Sequence, residues 1–502
     1  NAEEIRKVME EKDKNGKYLT HIVLEHHSNL LPEQETAHQK VLSEDWDASL
    51  VLTTNVQVLE ALFGAGTRGA RRMHQLANSV IIFDEVQTLP VNCVQLFNTA
   101  VNFLVNNCGS TVVLCTATQP LLNRIEPKSR ALQLTKEQEM ITDVEQLFSD
   151  LRRVEIHNRI KDGGWSNEDI KELARQKVVD SGSVLIVVNT KTSAHELYQL
   201  CNQIENVETY HLSTHMCPAH RMKVLDQIND CLSPSNKPVI CISTQLIEAG
   251  IDISFGSVIR FLAGIDSIIQ AAGRCNRHNE RYPALGDVYV LNPQKENVSS
   301  IDDIRIGKEK AERLLGEFKD NPDKFGNSIL SPEIIDQYYQ YYFYQRANEM
   351  NYPVSENSPV GREDNLFNLL STNSLSLAEY ERSNDNKRPE IPFLQSFMSA
   401  AKSFNAIETS TRGIIVPYGK EGKEIINELC SVMEIDKQYK LLHRSQRYSV
   451  NVFPNVLKRL QDNNTVYEVQ KGSGILYLDA QYYSDEIGLT EIPVKSMEFL
   501  NC

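Results

Sequence analysis

Four short strings carry residue types that can do chemistry on a phosphate. The first is Asp84-Glu85, which closes the apolar run of IIFDEVQTLP. An apolar strand feeding two acids puts carboxylates at the carboxyl end of a sheet, where open α/β folds bind ligands. The first acid of such a pair can hold Mg2+, and the second can orient or deprotonate an attacking water. Taken alone, the pair reads more readily as an acidic turn at a strand end. The second string is Cys115-Thr116-Ala117-Thr118, at the end of the next apolar run. The hydroxyls of Thr116 and Thr118 could bond the acids and sense a nucleotide; a plain helix cap is the alternative. The third runs from Ser243 to Asp252, STQLIEAGID. Thr244, Gln245 and the amides at that strand end could hold a backbone phosphate. Gly250 then turns the chain so that Asp252 could face a nucleotide, and a capped strand–helix connection is the alternative. The fourth is Gln270 to Arg277, QAAGRCNR. A helix through it places Gln270, Arg274 and Arg277 at i, i+4 and i+7 on one face, with Gly273 between them. Guanidinium forks there suit charge that develops on a transferring phosphoryl group; a solvated basic face is the alternative.

These strings need strands to hold them. SLVLTT (49–54), SVIIFDE (79–85) and TVVLCTAT (111–118) read as buried strands with helical patterns between them, as in Val91 to Asn106. The rhythm restarts after the charged, glycine-containing stretch at 161–166. SVLIVVNT (183–190), VETYHLS (207–213), PVICIST (238–244), SVIRFLA (257–263) and GDVYVL (286–291) form a second set. Strands alternating with helices predict parallel α/β units. From about residue 326 the pattern changes to a tyrosine-rich helix at 334–350, a polar loop at 355–388 and strand-like runs at 412–419, 447–453 and 474–479. The expected division is a first α/β domain at 1–150, a second at 151–325 and an α+β accessory domain at 326–502.

The net charge of −15 argues against a protein that coats nucleic acid through bulk positive charge. None of the 10 cysteines forms a C-x-x-C pair, which disfavours a zinc site or disulfide framework and fits a cytosolic protein. No apolar run is long enough for a membrane span, so no membrane partner is expected.

The four strings in this order resemble motifs II, III, V and VI of the superfamily-2 helicases. Asn189-Thr190 stand where motif IV belongs, and Thr53-Thr54 match motif Ic, a phosphate-backbone contact in that superfamily. With HHSNL (26–30), TTNVQVLEALF (53–63), HLSTHMCPAHR (211–221) and DSIIQAAGRCNR (266–277), residues 1 to 325 resemble the CRISPR-associated helicase–nuclease of type I interference systems. The resemblance implies two tandem RecA-like domains and an accessory domain that covers the strand channel. It implies ATP and Mg2+ as cofactors, with Asp84 on the metal and Glu85 as base. Arg274 and Arg277 would be the arginine fingers of the second domain. The implied partners are single-stranded DNA, an RNA-guided surveillance complex and an HD nuclease domain, in the cytoplasm of a prokaryote.

There are departures. No G-x-x-x-x-G-K-[ST] string occurs, and no His-Asp dipeptide. Asn1 to Glu4 resemble the end of motif Ia, so the chain is expected to be a fragment whose first domain is incomplete. Such a fragment should bind ATP poorly and expose part of its first sheet. Ala271 stands where arginine is common in the family. Two alternatives follow: a non-hydrolysing module that binds DNA or the surveillance complex, or an RNA helicase of the same superfamily. Tyr338, Tyr339, Tyr341, Tyr342 and Tyr344 could stack bases, although a packing stripe is the simpler reading.

Overall fold

The computed structural model describes residues 2–10, 22–26, 37–232, 237–248, 250–390, 394–406, 411–432 and 434–494. His27 to Leu30 of the HHSNL string lie outside them. The chain is a mixed α/β protein whose largest sheet has six parallel strands.

Contacts group the residues into two compact units, Asn1–Met140 with Tyr339–Glu408 and Ile141–Tyr338 with Thr409–Cys502. The section expected as one accessory domain is therefore shared out. Its first part, including Tyr352, Leu366, Leu369 and Phe404, packs into one core with Leu59, Val94 and Phe97. Its last part makes a core of its own, from Ile414 to Leu489, that takes in Cys217. The apolar side chains on the two stretches are buried against different α/β bodies, which is why the section does not behave as one piece.

In the first unit, strand β1 (Val23–His26) pairs with β2 (Leu50–Thr53), and β3 (Val80–Asp84) pairs with β4 (Thr111–Cys115), both parallel. The helix Val94–Asn107 covers one face, burying Phe97, Val101 and Leu104. The opposite side of β3 is open: Val80 is 69% and Ile82 64% exposed. The polar stretch at 355–388, expected as a loop, instead contains helices Leu366–Leu370 and Ser374–Ser383. Asn365 caps the first of them by accepting from the Asn368 amide, a local signal that low hydrophobicity masked.

In the second unit, β5 (Val154–Asn158), β6 (Ser183–Val187), β7 (Glu208–Leu212), β8 (Val239–Ser243), β9 (Ser257–Phe261) and β10 (Gly286–Leu291) form one sheet in the order β5-β10-β9-β6-β8-β7. All its ladders are parallel. Strands β6, β8 and β9 are buried at every position, in keeping with their mainly apolar Val- and Ile-rich runs. Beyond this sheet, strands at Arg412–Ile415, Ser449–Val452, Val466–Glu468 and Leu476–Leu478 build a four-stranded sheet. A hairpin after it returns to the α/β body, where Tyr483 Oη lies 3.0 Å from His220 Nδ1.

Candidate nucleotide and strand site

In the first unit, β3 and β4 run side by side with Asp84 opposite Cys115, so both expected strings leave the sheet at the same end. Asp84 is exposed, and among the described residues its carboxylate has no hydrogen bond or ion pair. A free carboxylate at a strand's carboxyl end fits Mg2+, which is usually held by one or two protein carboxylates together with substrate phosphates. Glu85 sits at φ 54°, ψ 48°, a left-handed conformation that costs a non-glycine residue energy and clusters at functional sites.

Glu85 and Thr116 are joined through a residue that sequence reasoning did not single out. Gln87 Nε2 donates to Glu85 Oε2 at 2.5 Å, and the Thr116 hydroxyl donates to Gln87 Oε1. Thr118 is different. Its amide bonds Thr116 Oγ1 at 3.0 Å, and its own hydroxyl lies buried, 3.5 Å from that of Tyr339. Thr116 thus reaches the acidic pair through an amide relay, and Thr118 supports the turn. The spacing D-E-x-Q held the signal for Gln87, since an amide two residues after an acid can fold back onto it.

Thr53 and Thr54 also part ways. The Thr53 hydroxyl donates to the His26 carbonyl at 2.9 Å. Thr54 is the exposed N-cap of helix Asn55–Phe63 and accepts from the Gln57 amide. That leaves Thr54 exposed at the start of a half-buried first turn.

In the second unit the expected helix through QAAGRCNR stops early. Its bounds are Ile265–Ala272, with Gly273 as C-cap. Asn276 turns to φ 45°, and Phe255 bonds the backbone of Arg274 and Asn276 on either side of Cys275. Gln270, Arg274 and Arg277 are consequently not on one helical face. Arg274 is buried and donates to the carbonyls of Ile247 (2.9 Å) and Glu248 (2.6 Å). Arg277 is partly exposed and pairs with Asp252 at 2.7 Å. Asp252 is exposed, two residues after Gly250, whose φ of 74° makes the turn. Gln270 is half-buried. The structure therefore brings Asp252 to Arg277 and Arg274 to the 247–248 backbone.

Asn189 and Thr190 do not present free groups. Asn189 is buried. Its amide and side chain donate to the two oxygens of Glu296, each at 2.8 Å, and Thr190 N donates to Glu296 at 3.2 Å. The Thr190 hydroxyl caps helix Lys191–Cys201 by accepting from the Ser193 amide. Thr244 is buried at the end of β8 and Gln245 is half-buried beside it. Burial, working against the nearby Arg260 guanidinium, pushes the Glu248 carboxyl above its ordinary range.

The tyrosine stripe is mainly packing. Tyr338 and Tyr339 are buried and Tyr344 is exposed. A Cβ on Gly264 would lie 2.3 Å from the Tyr338 hydroxyl and from an Asp266 oxygen, so only glycine fits there. Among the described residues no helix is long and apolar enough to cross a membrane, and no cluster of three or more His, Cys, Asp or Glu could hold a metal ion.

Comparison with known proteins finds similarity to the Cas3 nuclease/helicases. A family model described as CRISPR-associated nuclease/helicase Cas3, C-terminal, matches residues 180–280. A CRISPR-associated nuclease/helicase Cas3 of Haloferax volcanii is 28% identical over 346 residues, covering 52% of this chain and 37% of the relative. A Cas3 of Methanothermobacter thermautotrophicus is 31% identical over 118 residues, covering 23% of this chain and 14% of the relative. Among solved structures, T. fusca Cas3 superposes with a TM-score of 0.59 at 13% identity, covering 95% of this chain and 60% of that one. A CRISPR RNA-guided surveillance complex in a pre-nicking state contains a similar chain, with a TM-score of 0.54 at 14% identity, covering 93% of this chain and 62% of that one. This chain spans well under two thirds of the relatives it matches in sequence.

Proposed function

We propose, on the premise that this chain is a Cas3-type helicase, that it forms the motor of an ATP-dependent single-strand DNA translocase of the type I CRISPR response. The observation that carries the reading is the Glu85–Gln87–Thr116 relay at the shared end of two parallel strands. It links the acid that would act as base to the residue that would sense the nucleotide, an arrangement that an acidic turn has no use for.

In this reading Asp84 holds Mg2+, which would offset charge on the triphosphate. Glu85 orients and deprotonates the attacking water. Arg277 is the better candidate for phosphate contact, since its guanidinium holds an exposed carboxylate and a 3.4 Å bond to the Gly273 carbonyl. Arg274, with both of its carbonyl bonds buried, holds the 247–248 backbone in place. Thr54, Thr244 and Gln245 would meet the strand's phosphates. Asn189 would act through Glu296 and Arg260 rather than by touching DNA.

The open face at Val80 and Ile82, and the want of a G-x-x-x-x-G-K-[ST] string, support a second part of the proposal. The phosphate-binding loop comes from sequence not included in these 502 residues and packs beside β3. A surveillance complex as recruiting partner, an HD nuclease domain alongside and a prokaryotic cytoplasmic location follow the family.

The test is steady-state ATPase of the full-length natural protein with single-stranded DNA or RNA added. Stimulation by DNA is expected, and stimulation by RNA alone would reject the DNA reading. The isolated 502-residue chain should bind ATP weakly and not turn it over, as judged by equilibrium dialysis and phosphate release. Ordinary affinity and turnover there would overturn the proposed source of the loop.

A further inference from the structure

Arg260 is the largest side chain in the described structure with no exposed surface at all. It stands in β9, in the middle of the otherwise apolar run SVIRFLA. A guanidinium stripped of water is retained only where its donors are met by partners. Here the fork reaches four elements. Nη1 donates to Asn189 Oδ1 at 2.7 Å, beyond the end of β6, and to the Phe261 carbonyl at 2.9 Å in β9 itself. Nη2 donates to Ser267 Oγ at 2.8 Å, in the first turns of helix Ile265–Ala272. Nε faces Glu248 Oε1 at 3.0 Å, off the line a hydrogen bond needs, so that contact is charge pairing. Ser267 closes the ring by donating to Glu248 Oε2 at 2.7 Å.

The elements tied together are those that carry the proposed chemistry. Glu248 lies between Thr244-Gln245, offered to the strand, and Asp252, paired with Arg277. Ser267 lies in the first turn of the helix Ile265–Ala272, which carries Gln270 and leads into the segment with Arg274 and Arg277. Asn189 Nδ2 continues the ring to Glu296 at 2.8 Å. Stability alone does not demand this device, because a buried ion pair is often no more stabilising than apolar residues of the same volume. Position does demand it. Only a planar fork with several fixed donors can hold three neighbours in register at once, and a lysine cannot.

We propose that Arg260 is a positioning residue that couples strand binding to nucleotide hydrolysis. It holds the Thr244–Glu248 segment and the helix Ile265–Ala272 in one register through Glu248 and Ser267. This rests on the helicase reading. Displacement of the 244–248 backbone by a bound strand is passed to the helix of Gln270 through Glu248, Arg260 and Ser267, and toward Arg277 through the Arg274 bonds to the Ile247 and Glu248 carbonyls.

The test uses the full-length protein and three variants: Ser267→Ala, Glu248→Gln and Arg260→Lys. Each keeps most of the local volume. ATPase is measured with and without single-stranded DNA, and DNA affinity separately by fluorescence anisotropy without nucleotide. Ser267→Ala should leave DNA-free ATPase and DNA affinity within twofold of wild type, while the stimulation by DNA falls about fivefold. Glu248→Gln and Arg260→Lys should lose more of the stimulation, in kcat rather than in KM for ATP. If all three variants keep the wild-type stimulation and differ only in melting temperature, the ring is structural and the proposal is overturned. If wild-type protein shows no DNA-stimulated ATPase at all, the helicase reading fails first and on its own. Should Glu248→Gln or Arg260→Lys not fold, Ser267→Ala decides the matter.

Discussion

Asp84 and Arg260 are both charged residues in strands of parallel sheets, and their surroundings are opposite. Asp84 ends β3 in water, with no protein partner among the described residues. Arg260 sits in β9 with no exposed surface and partners on four elements. The same contrast runs through the two units. In the first, the acid, the Thr54 cap and the open side of β3 present groups with capacity to spare. In the second, Asn189 is bonded to Glu296 and Arg260, Ser267 to Arg260 and Glu248, and Arg274 to the carbonyls of Ile247 and Glu248. A group kept free of partners can bind a ligand; a group fully bonded inside the protein can only hold something else in place. On the proposed reading, metal and base chemistry would fall to the first unit, and the second would mostly position the few groups it exposes, Arg277 and Asp252 among them.

Substitutions in the full-length protein test that contrast from both sides. The largest effect is expected from Arg277→Ala, which should lower DNA-stimulated turnover by roughly 10^3, the scale of a lost arginine finger. Its melting temperature should hardly change, since an exposed ion pair contributes at most about 1 kcal/mol. Near-normal turnover would remove Arg277 from the site. Arg274→Ala should lower turnover too but also destabilise the fold, by about 3 kcal/mol for two buried bonds from a charged donor. Denaturant melts would show it. If Arg274→Ala melts like wild type, the buried contacts at 247–248 are not what they are taken to be.

Arg260→Met should be costly in stability, by about 3–5 kcal/mol, because it leaves Glu248 buried and unpaired. Adding Glu248→Leu to it should recover much of that loss without recovering stimulation by DNA. A double variant as unstable as the single one would mean that the pair itself is not the source of the cost.

A smaller effect concerns acid. Burial holds the imidazole of His211 down to about 3 and that of His220 down to about 4. In the unfolded chain both would titrate near the ordinary value of about 6.5. The unfolded state therefore binds protons that the folded state refuses, and stability present above pH 6.5 is lost as pH falls toward 4. Melting temperature should decline over that window, with a shallower decline in His211→Asn. An identical slope in the variant would rule out His211 as a contributor.

How much of this was legible in the sequence follows from burial. Strands β6, β8 and β9 are legible because both of their faces are covered, which favours runs rich in Val, Ile and Leu. Strand β5, VEIHN, was not, because it lies at the sheet edge and alternates with polar residues. Asp84 and Glu85 were legible as an acidic pair after an apolar run. The face shared by Gln270, Arg274 and Arg277 was expected and is absent, because Gly273 ends the helix and Asn276 reverses the chain. Glu296 and Arg260 are silent in the sequence for another reason: their partners lie on other elements, and no spacing along the chain encodes a contact such as Asn189 to Glu296. A lone arginine inside an apolar strand was the one visible hint.

The most direct test of the account is Glu85→Gln in the full-length protein, assayed for DNA-stimulated ATPase alongside single-stranded DNA affinity. The account predicts that turnover falls by about 10^2–10^4, the usual worth of a general base, while strand binding stays within twofold of wild type. Turnover near wild type, or a parallel loss of strand binding, would contradict it.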